Sequence, residues 1–285
     1  MIQNPDPQTF SGAVIGADVG ATLVKLAIRT QHGRTRLQLA STQAIEEVAR
    51  DIESAGPERV GITGGGAPEL AQLLSFDTTR ADEFEAWRRG AREILQEDAS
   101  HRADRYLLVS LGTGTSAMLV EGETVTRLGG TALGGGTLMG LGAALVETTS
   151  FDELVALARK GDRRRVDLLV SDIYRSGEAP LPDDLSASSF GKLAHSASET
   201  RPSPTPADLA HAIVGLVAEN VALICNGLAA AAQVQQIVFA GSTLRTNAPM
   251  VEILGFVAAT GGHEVVFLEN GEFSGALGAL AIAAA

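Results

Sequence analysis

The sequence predicts an α/β protein of two lobes with a cleft between them. Three observations carry this. A strand–turn–strand hairpin with a polar turn occurs twice, at residues 14–29 and 106–120, and each copy opens a mixed α/β unit. The chain has 285 residues, 45% of them hydrophobic, enough for two cores. Neither a GxxxxGKS or GxxxxGKT segment nor a strand–GxGxxG–helix pattern occurs, so the glycine-rich turns belong to neither a P-loop nor a dinucleotide fold. Two polar turns facing each other describe a different nucleotide site, a clamp between lobes.

Residues 13–19 and 23–29 read as the paired strands of the first hairpin, and TRLQLAST as a third strand. TQAIEEVARDIESAG has helical spacing ended by glycine. ERVGITGGGAPELAQLL reads strand, glycine-rich turn, helix, and EFEAWRRGAREILQED is a helix that completes the first unit by about residue 103. The pattern then restarts. RYLLVSLGTGTSAMLVEGETVTRLGGTALGG reads as three strands joined by glycine turns and leads into the helix TLMGLGAALVETTS. SFDELVALARKGDRRRVDLLVSDIYRSG reads as helical, and EAPLPDDLSASSFGK as a loop. TPADLAHAIVGLVAENVALICNGLAAAAQ is one long helix, apolar on most faces, a pattern that predicts burial by a partner subunit. QIVFAGSTL is a strand running into a turn, HEVVFLEN another strand, and GALGALAIAAA a closing helix. The expected division is a tail at 1–12, an N-terminal lobe at 13–103, and a C-terminal lobe at 104–285 that contains the dimerisation helix.

Composition excludes several classes. The net charge is −12, against the basic surface that a non-specific nucleic-acid binder needs to release counterions. The basic run Arg159, Lys160, Arg163, Arg164 and Arg165 reads as a solvated helix end. Cys225 is the only cysteine; it makes neither an intramolecular disulfide nor a thiolate cluster, and reads as a small buried hydrophobe. The histidines at 32, 101, 195, 211 and 263 show no zinc spacing. The N-terminus MIQNPDPQTFSG lacks the apolar segment of a signal peptide, and no charge-free stretch of membrane-spanning length occurs. The expectation is a cytoplasmic, reduced protein with no membrane partner.

The turns carry the chemistry. The first is GADVGATLVKLAIRT, residues 16–30. Here Gly20, Ala21 and Thr22 offer a backbone nest for an anion, Thr22 a hydroxyl, Lys25 a mobile cation, and Asp18 an acceptor for hydrated Mg²⁺. Aspartate is unfavourable inside a strand otherwise. In the second turn Gly112, Thr113, Gly114, Thr115 and Ser116 set hydroxyls and bare backbone at a strand end, suited to phosphate oxygens. An ordinary polar hairpin or a bulge explains either turn alone; the pair at the heads of two units points to a nucleotide. Gly134, Gly135 and Gly136 run into Thr137, Leu138 and Met139 at a helix start, where free N–H groups and the positive dipole end make a further phosphate seat. Gly241 and Ser242 follow a strand, placed to lie along an adenosine. Glu83 near a helix start and Arg127 before the glycine run are, on these grounds alone, a dipole-complementing carboxylate and a surface cation.

The segments DVGATLVKLA, LGTGTS, RLGGTALGGGTLMGL, KGDRRRVDLLVSDIY, DLSASSFGK, FAGST and ENGEFSGALGAL resemble, in that order, the type II pantothenate kinases of the actin-like sugar-kinase superfamily. The resemblance covers nearly all of the chain from about residue 12, and the glycine-run and GDRRRVDLLVSDIY segments are the most specific. It implies two RNase-H-like lobes, a homodimer through the long helix, and ATP-dependent phosphorylation of pantothenate, the first step of coenzyme A synthesis. It also implies that Glu83 is the catalytic base and Arg127 a substrate-binding arginine, with Thr115 and Ser116 beside the substrate. The nucleotide contacts it implies are Gly20 through Ala27, including Leu23 and Lys25, then Thr113, Gly135 through Met139, Ser242 and the aromatic Phe151. One residue departs from the pattern. Ala21 stands where the family has glycine, and a positive φ there would strain it by about 1 kcal/mol. The expected chemistry is in-line transfer of the γ-phosphoryl group of ATP, with Mg²⁺, to a primary alcohol. Two other readings are another alcohol kinase of the superfamily, such as an amino-sugar kinase, and a non-catalytic dimer that senses nucleotide or acyl-coenzyme A. The activators of iron–sulfur dehydratases, also in the superfamily, need cysteines that this chain lacks.

Overall fold

A computed structural model of the chain describes residues 12–30, 33–97, 104–195 and 203–285. The tail up to residue 11, His32 and His101 lie outside the described residues. The chain divides into two compact units. The first holds the described residues up to Leu108, with 118–127 and 268–285; the second holds 109–117 and 128–267.

The first unit begins with β1 (Val14–Val19), β2 (Leu23–Arg29) and β3 (Thr35–Ser41), followed by α1 (Ile45–Ala55), β4 (Arg59–Thr63), α2 (Ala67–Leu73), β5 (Thr79–Arg80) and α3 (Glu83–Glu97). Its sheet has the order β3-β2-β1-β4-β5. The β1/β2 and β2/β3 pairs are antiparallel, and β1/β4 and β4/β5 are parallel. β1 and β2 are central strands, buried along nearly their whole length, and apart from Asp18, Lys25 and the end residue Arg29 they are apolar or glycine. α1 stops at Gly56, whose left-handed φ of 56° no β-branched residue would adopt comfortably.

The chain continues through β6 (Arg105–Leu111), β7 (Thr115–Glu121), β8 (Thr124–Thr131), α4 (Gly135–Leu145) and α5 (Phe151–Ala158). It goes on through β9 (Leu168–Leu169), α6 (Val170–Ile173), β10 (Ser186–Ser188), α7 (Pro206–Ala231), β11 (Gln236–Ala240), α8 (Ala248–Thr260), β12 (Glu264–Phe267) and α9 (Ser274–Ala284). The second sheet has the order β12-β11-β6-β7-β8, and the residues of β6, β7 and β8 are divided between the two units. In the second unit α7 packs on α4, α5, α8 and β11. Thr205 starts α7 with a reciprocal cap to Asp208 at 3.2 and 3.0 Å, and Pro206 fills its first helical position.

Several expectations change. The boundary near residue 103 does not give two contiguous blocks, because α9 at the end of the chain packs on α3, β1, β4 and β2 of the first unit. Small residues let it in. A β-carbon on Gly16 would lie 2.0 Å from the Ala276 carbonyl oxygen, one on Gly61 2.1 Å from that of Ala279, and one on Gly90 1.8 Å from that of Ser274. The stretch 151–176, expected as continuous helix, breaks after α5. Gly161 passes so close to Ala207 that a β-carbon would meet its carbonyl oxygen at 1.9 Å, and a 3-10 turn at Arg163–Arg165 and the short β9/β10 pair follow. The loop expected at 178–192 contains β10. Helix α8 was not foreseen, although Asn247 caps it and Pro249 sits in its first turn.

The basic run is solvated at Arg159 and Lys160, at the end of α5, and at Arg164 and Arg165, but not at Arg163. Arg163 is buried, 2.7 Å from Glu219 of α7 and 3.7 Å from Asp167. The Asp167 carboxyl is pushed up, chiefly by burial, against the pull of the Phe190 N–H and Arg163. Cys225 is buried and free, as its apolar surroundings predict, and burial pushes its thiol up to about 12. α7 is long and apolar enough to cross a membrane by length and composition, but 61% of its most apolar window is buried inside the protein.

Candidate active site

The first unit builds an acid–base cluster from the ladder outward. The loop Gly20–Leu23 closes with the Gly20 N–H donating to the Leu23 carbonyl at 3.0 Å. That closure sets Asp18 on β1 directly across from Lys25 on β2. Cross-strand neighbours point to the same face, so the Lys25 Nζ reaches Asp18 Oδ2 at 3.3 Å in a buried pair. On its other side Asp18 is paired with Thr63 of β4. Burial pushes the Asp18 carboxyl above the ordinary aspartate value, and Lys25 works against that shift.

Three glycines keep the cluster open. A β-carbon on Gly64, at φ 86°, would lie 2.7 Å from Asp18 Oδ1; one on Gly275 would lie 2.8 Å from Oδ2; one on Gly20 would lie 3.1 Å from Lys25 Nζ. Gly64 and Gly275 were not singled out in the sequence. The signal for the first was present, since the GGG of ERVGITGGGAPELAQLL follows a strand that pairs with β1. The second has no local signal at all, because the fold brings it to Asp18 from 257 residues away along the chain, Gly275 less Asp18.

Glu83 is the first residue of α3, behind Asp82, whose carboxylate caps the helix by accepting the Glu85 N–H at 3.0 Å. Its carboxyl is raised above the usual glutamate value, first by the protein packed around it and next by the Asp18 charge, with Lys25 opposing and Asp82 adding. Glu83 therefore shares an electrostatic neighbourhood with Asp18 and Lys25, which dipole complementation alone does not require. Arg127 lies on β8, exposed, among the residues grouped with this unit, and makes no ion pair with another described residue. Ala21 and Thr22 are exposed at the hairpin tip. Ala21 is not among the non-glycine residues with positive φ, so the expected backbone strain is absent.

The second unit builds a cradle from glycine turns. Gly112 donates its N–H to the Gly114 carbonyl at 2.9 Å, closing the turn between β6 and β7. The run Gly134 to Gly136 then lies against that turn. The N–H groups of Gly135 and Gly136 donate to the carbonyls of Gly112 and Thr113 at 2.8 and 2.9 Å. These two N–H groups were expected to be free for phosphate; they instead lock the start of α4 to the hairpin turn. Gly134 is there for close approach, since a β-carbon would meet the Thr113 carbonyl oxygen at 2.7 Å. The Thr243 hydroxyl, beside Ser242, donates to the same Gly112 carbonyl at 2.8 Å, which brings the Gly241–Ser242 turn to this place. Gly241 is at φ 116°, with a prospective β-carbon 2.3 Å from the Leu111 carbonyl oxygen. The Thr115 hydroxyl is taken by the Leu133 carbonyl at 2.7 Å, while Ser116 is half-buried beside it on β7. The Thr137 hydroxyl donates to Ala132 at 3.2 Å; Leu138 is buried, and Met139 and Phe151 are half-buried. The sequence missed Thr243, whose hydroxyl fastens the Gly241–Ser242 turn to the Gly112–Gly114 turn.

Among the described residues no group of three or more metal-binding side chains occurs. The single buried carboxylate of Asp18, with glycines leaving room at both oxygens, suits a cation that keeps most of its water and takes other ligands from phosphates. It does not suit an all-protein cage.

The chain matches the family model described as Fumble over residues 17–282. It is 34% identical over 266 residues to a type II pantothenate kinase of Staphylococcus haemolyticus (strain JCSC1435), covering 93% of this chain and 98% of that one. It is 35% identical over 267 residues to a type II pantothenate kinase of Oceanobacillus iheyensis, with the same coverage of both chains. Among solved structures, (R)-2-hydroxyglutaryl-CoA dehydratase component A of Acidaminococcus fermentans superposes with a TM-score of 0.61 at 18% identity, covering 96% of this chain and 98% of that one. A ROK family glucokinase from Streptomyces griseus, in complex with glucose and AMPPNP, gives 0.60 at 14% identity, covering 96% and 99%. These two establish the fold, the actin-like α/β fold expected from the sequence.

Proposed function

The chain belongs to the Fumble family, and on that premise we propose that it transfers the γ-phosphoryl group of ATP to pantothenate, giving 4'-phosphopantothenate in the first step of coenzyme A synthesis. The observation that carries this reading is the electrostatic grouping of Glu83 with Asp18 and Lys25 in the first unit, in a chain about one-third identical to type II pantothenate kinases over nearly its whole length.

The primary hydroxyl of pantothenate attacks the γ-phosphorus in line with the bridging oxygen to the β-phosphate. A new C–O–P bond forms, the β–γ bridge breaks, and ADP leaves with the bridging electron pair. Glu83 takes the hydroxyl proton as charge develops. A carboxyl raised above the usual value suits this work, because its basicity lies nearer the working pH. Lys25 neutralises phosphate charge, and the turn Gly20 to Thr22, with no side chain at Gly20 and only a methyl at Ala21, lets the phosphate chain approach. Asp18 is the residue that would hold Mg²⁺, and the ion would supply charge neutralisation for the phosphates. In the second unit the interlocked turns of Gly112–Gly114, Gly134–Gly136 and Gly241–Ser242 form a rigid glycine-walled seat for the nucleotide, with Thr113, Thr137, Leu138, Met139 and Phe151 around it. Arg127 takes the pantothenate carboxylate, a geometry that a guanidinium fork suits, with Thr115 and Ser116 near the substrate.

The test is a coupled ADP-release assay with the purified chain, ATP, Mg²⁺ and pantothenate. The expected result is ADP formation that depends on pantothenate and yields one phosphorylated pantothenate per ADP. ADP release with an amino sugar and none with pantothenate would overturn the substrate, and no turnover with any alcohol would overturn catalysis.

A further inference from the structure

α3 carries Glu83 at its start and, five residues later, an arginine that the reaction does not use. Arg88 is 2% exposed. Its guanidinium is spent in two directions. Toward its own helix, Nε and Nη2 donate to both carboxylate oxygens of Glu85 at 2.9 and 2.8 Å. Away from the helix, Nη1 donates to the Gly122 carbonyl at 3.2 Å and lies 3.0 Å from Glu123 Oε2. Gly122 and Glu123 form the turn between β7 and β8, and Arg92, one turn further along α3, also pairs with Glu123. β8 then runs from Thr124 to Thr131 and carries Arg127. Glu83, Glu85, Arg88, Arg92, Gly122, Glu123 and Arg127 all belong to the first unit.

A single buried fork thus ties the helix bearing the base to the hairpin bearing the substrate arginine. Glu83 and Arg88 are about 7.5 Å apart along the helix axis at 1.5 Å per residue. Glu123 and Arg127 are about 13 Å apart along the strand at 3.3 Å per residue. Both spans are short and stiff, so a shift at the tie is carried to both functional side chains. A lysine cannot do this, because it is a point charge without the fork that meets a carboxylate and a carbonyl in different directions at once.

We propose that Arg88 is a positioning residue that sets the base-bearing start of α3 in register with the β7–β8 hairpin, so that Glu83 and Arg127 address the same pantothenate molecule. The proposal rests on the roles given above to Glu83 and Arg127. It predicts that loss of the fork harms use of pantothenate more than use of ATP, whose seat draws on other turns.

The experiment compares Arg88→Lys, Arg88→Met, the triple variant Arg88→Met with Glu85→Gln and Glu123→Gln, and, in parallel, Glu83→Gln. Thermal unfolding, ATP affinity, and kcat and KM for pantothenate are measured on each full-length protein, at a temperature where it is fully folded. Arg88→Lys is expected to melt near the parent and still lose about 10- to 100-fold in kcat/KM for pantothenate, the scale of a misplacement of about 1 Å, with ATP affinity changed less than about twofold. The triple variant, which removes the charges of Glu85 and Glu123 along with that of Arg88, is expected to regain part of the stability lost in Arg88→Met and not the activity. Parent-like kcat/KM for pantothenate in Arg88→Lys, or recovery of activity together with stability in the triple variant, would overturn the positioning role and leave Arg88 as a core ion pair. The Glu83→Gln protein separates the two readings: full turnover there removes Glu83 as the base, whatever the Arg88 variants do.

Discussion

Glu83 is the residue at which a helix-dipole role and a base role part most clearly. Glutamine keeps the shape and the hydrogen bond but cannot accept a proton, so Glu83→Gln is expected to lower turnover by about 10²- to 10⁴-fold and leave ATP affinity intact. Stability should move the other way or not at all. The folded-state value of this carboxyl is raised, so its favourable contribution is full below the ordinary glutamate range and is lost as pH rises through the raised value. At neutral pH the ionised form therefore costs stability, and the glutamine protein should melt at the parent's temperature or above. The same shift fixes the acid limb of the rate profile. Turnover should fall, as pH is lowered, at a pH above that expected for an unperturbed glutamate, because Asp18 and the surrounding protein hold the proton on Glu83. A lower melting temperature together with lost ATP binding would give Glu83 a folding role instead. Ala21 offers the second residue-scale test. Because it does not adopt a positive φ, glycine brings no relief of strain and only loosens the unfolded chain. Ala21→Gly should lower unfolding stability by about 0.4–1 kcal/mol in a denaturant titration, and a gain would show that the alanine is strained after all.

At the scale of elements, α9 places β1 and α3, which carry Asp18 and Glu83, by packing rather than by chemistry. It reaches β1, β4 and α3 through positions where a methyl group has no room. Gly90 is the most telling, since it lies on α3 with Glu83 and would drive a β-carbon to 1.8 Å from the Ser274 backbone. Gly90→Ala is expected to cost about 1–3 kcal/mol or more, since helix backbones must move apart, and to reduce turnover because α3 moves with it. Gly65 is the contrast: a β-carbon there meets nothing within 4 Å. Gly65→Ala should stay within about 0.5 kcal/mol of the parent by thermal or denaturant unfolding. Equal effects from the two substitutions would show that the close approach is not what demands glycine.

For the molecule as a whole, the open element is α7. Most of its apolar length is covered inside the second unit by α4, α5, α8 and β11, but not all of it. Leu223 and Ile224 remain 52% and 38% exposed on it. A second copy is the occupant we propose for that stripe. Light scattering at micromolar concentration should give a dimer of the 29.5 kDa chain, and Leu223→Glu combined with Ile224→Glu should give a folded monomer. A monomeric parent would refute the assembly.

The sequence by itself determined the paired hairpins and most of the elements around them. Periodicity marks the paired hairpins, and β1 and β2 declare themselves as central strands because apolar residues and glycine fill both faces except at Asp18 and Lys25. The spacing of seven between Asp18 and Lys25 sets them opposite once the hairpin closes, so their pairing was written locally. The resemblance supplied Glu83 and Arg127, whose types alone are those of ordinary surface residues. Tertiary structure decided what depends on distant backbone. It spent the Gly135 and Gly136 N–H groups on Gly112 and Thr113, buried Arg163 against Glu219, and set Gly275 beside Asp18. It also returned the last helix to the first sheet. Local spacing cannot encode these, because each is a meeting of segments far apart in the chain, and which carbonyl an N–H reaches, or which carboxylate a buried arginine must neutralise, is fixed only when the packed backbones exclude the alternatives.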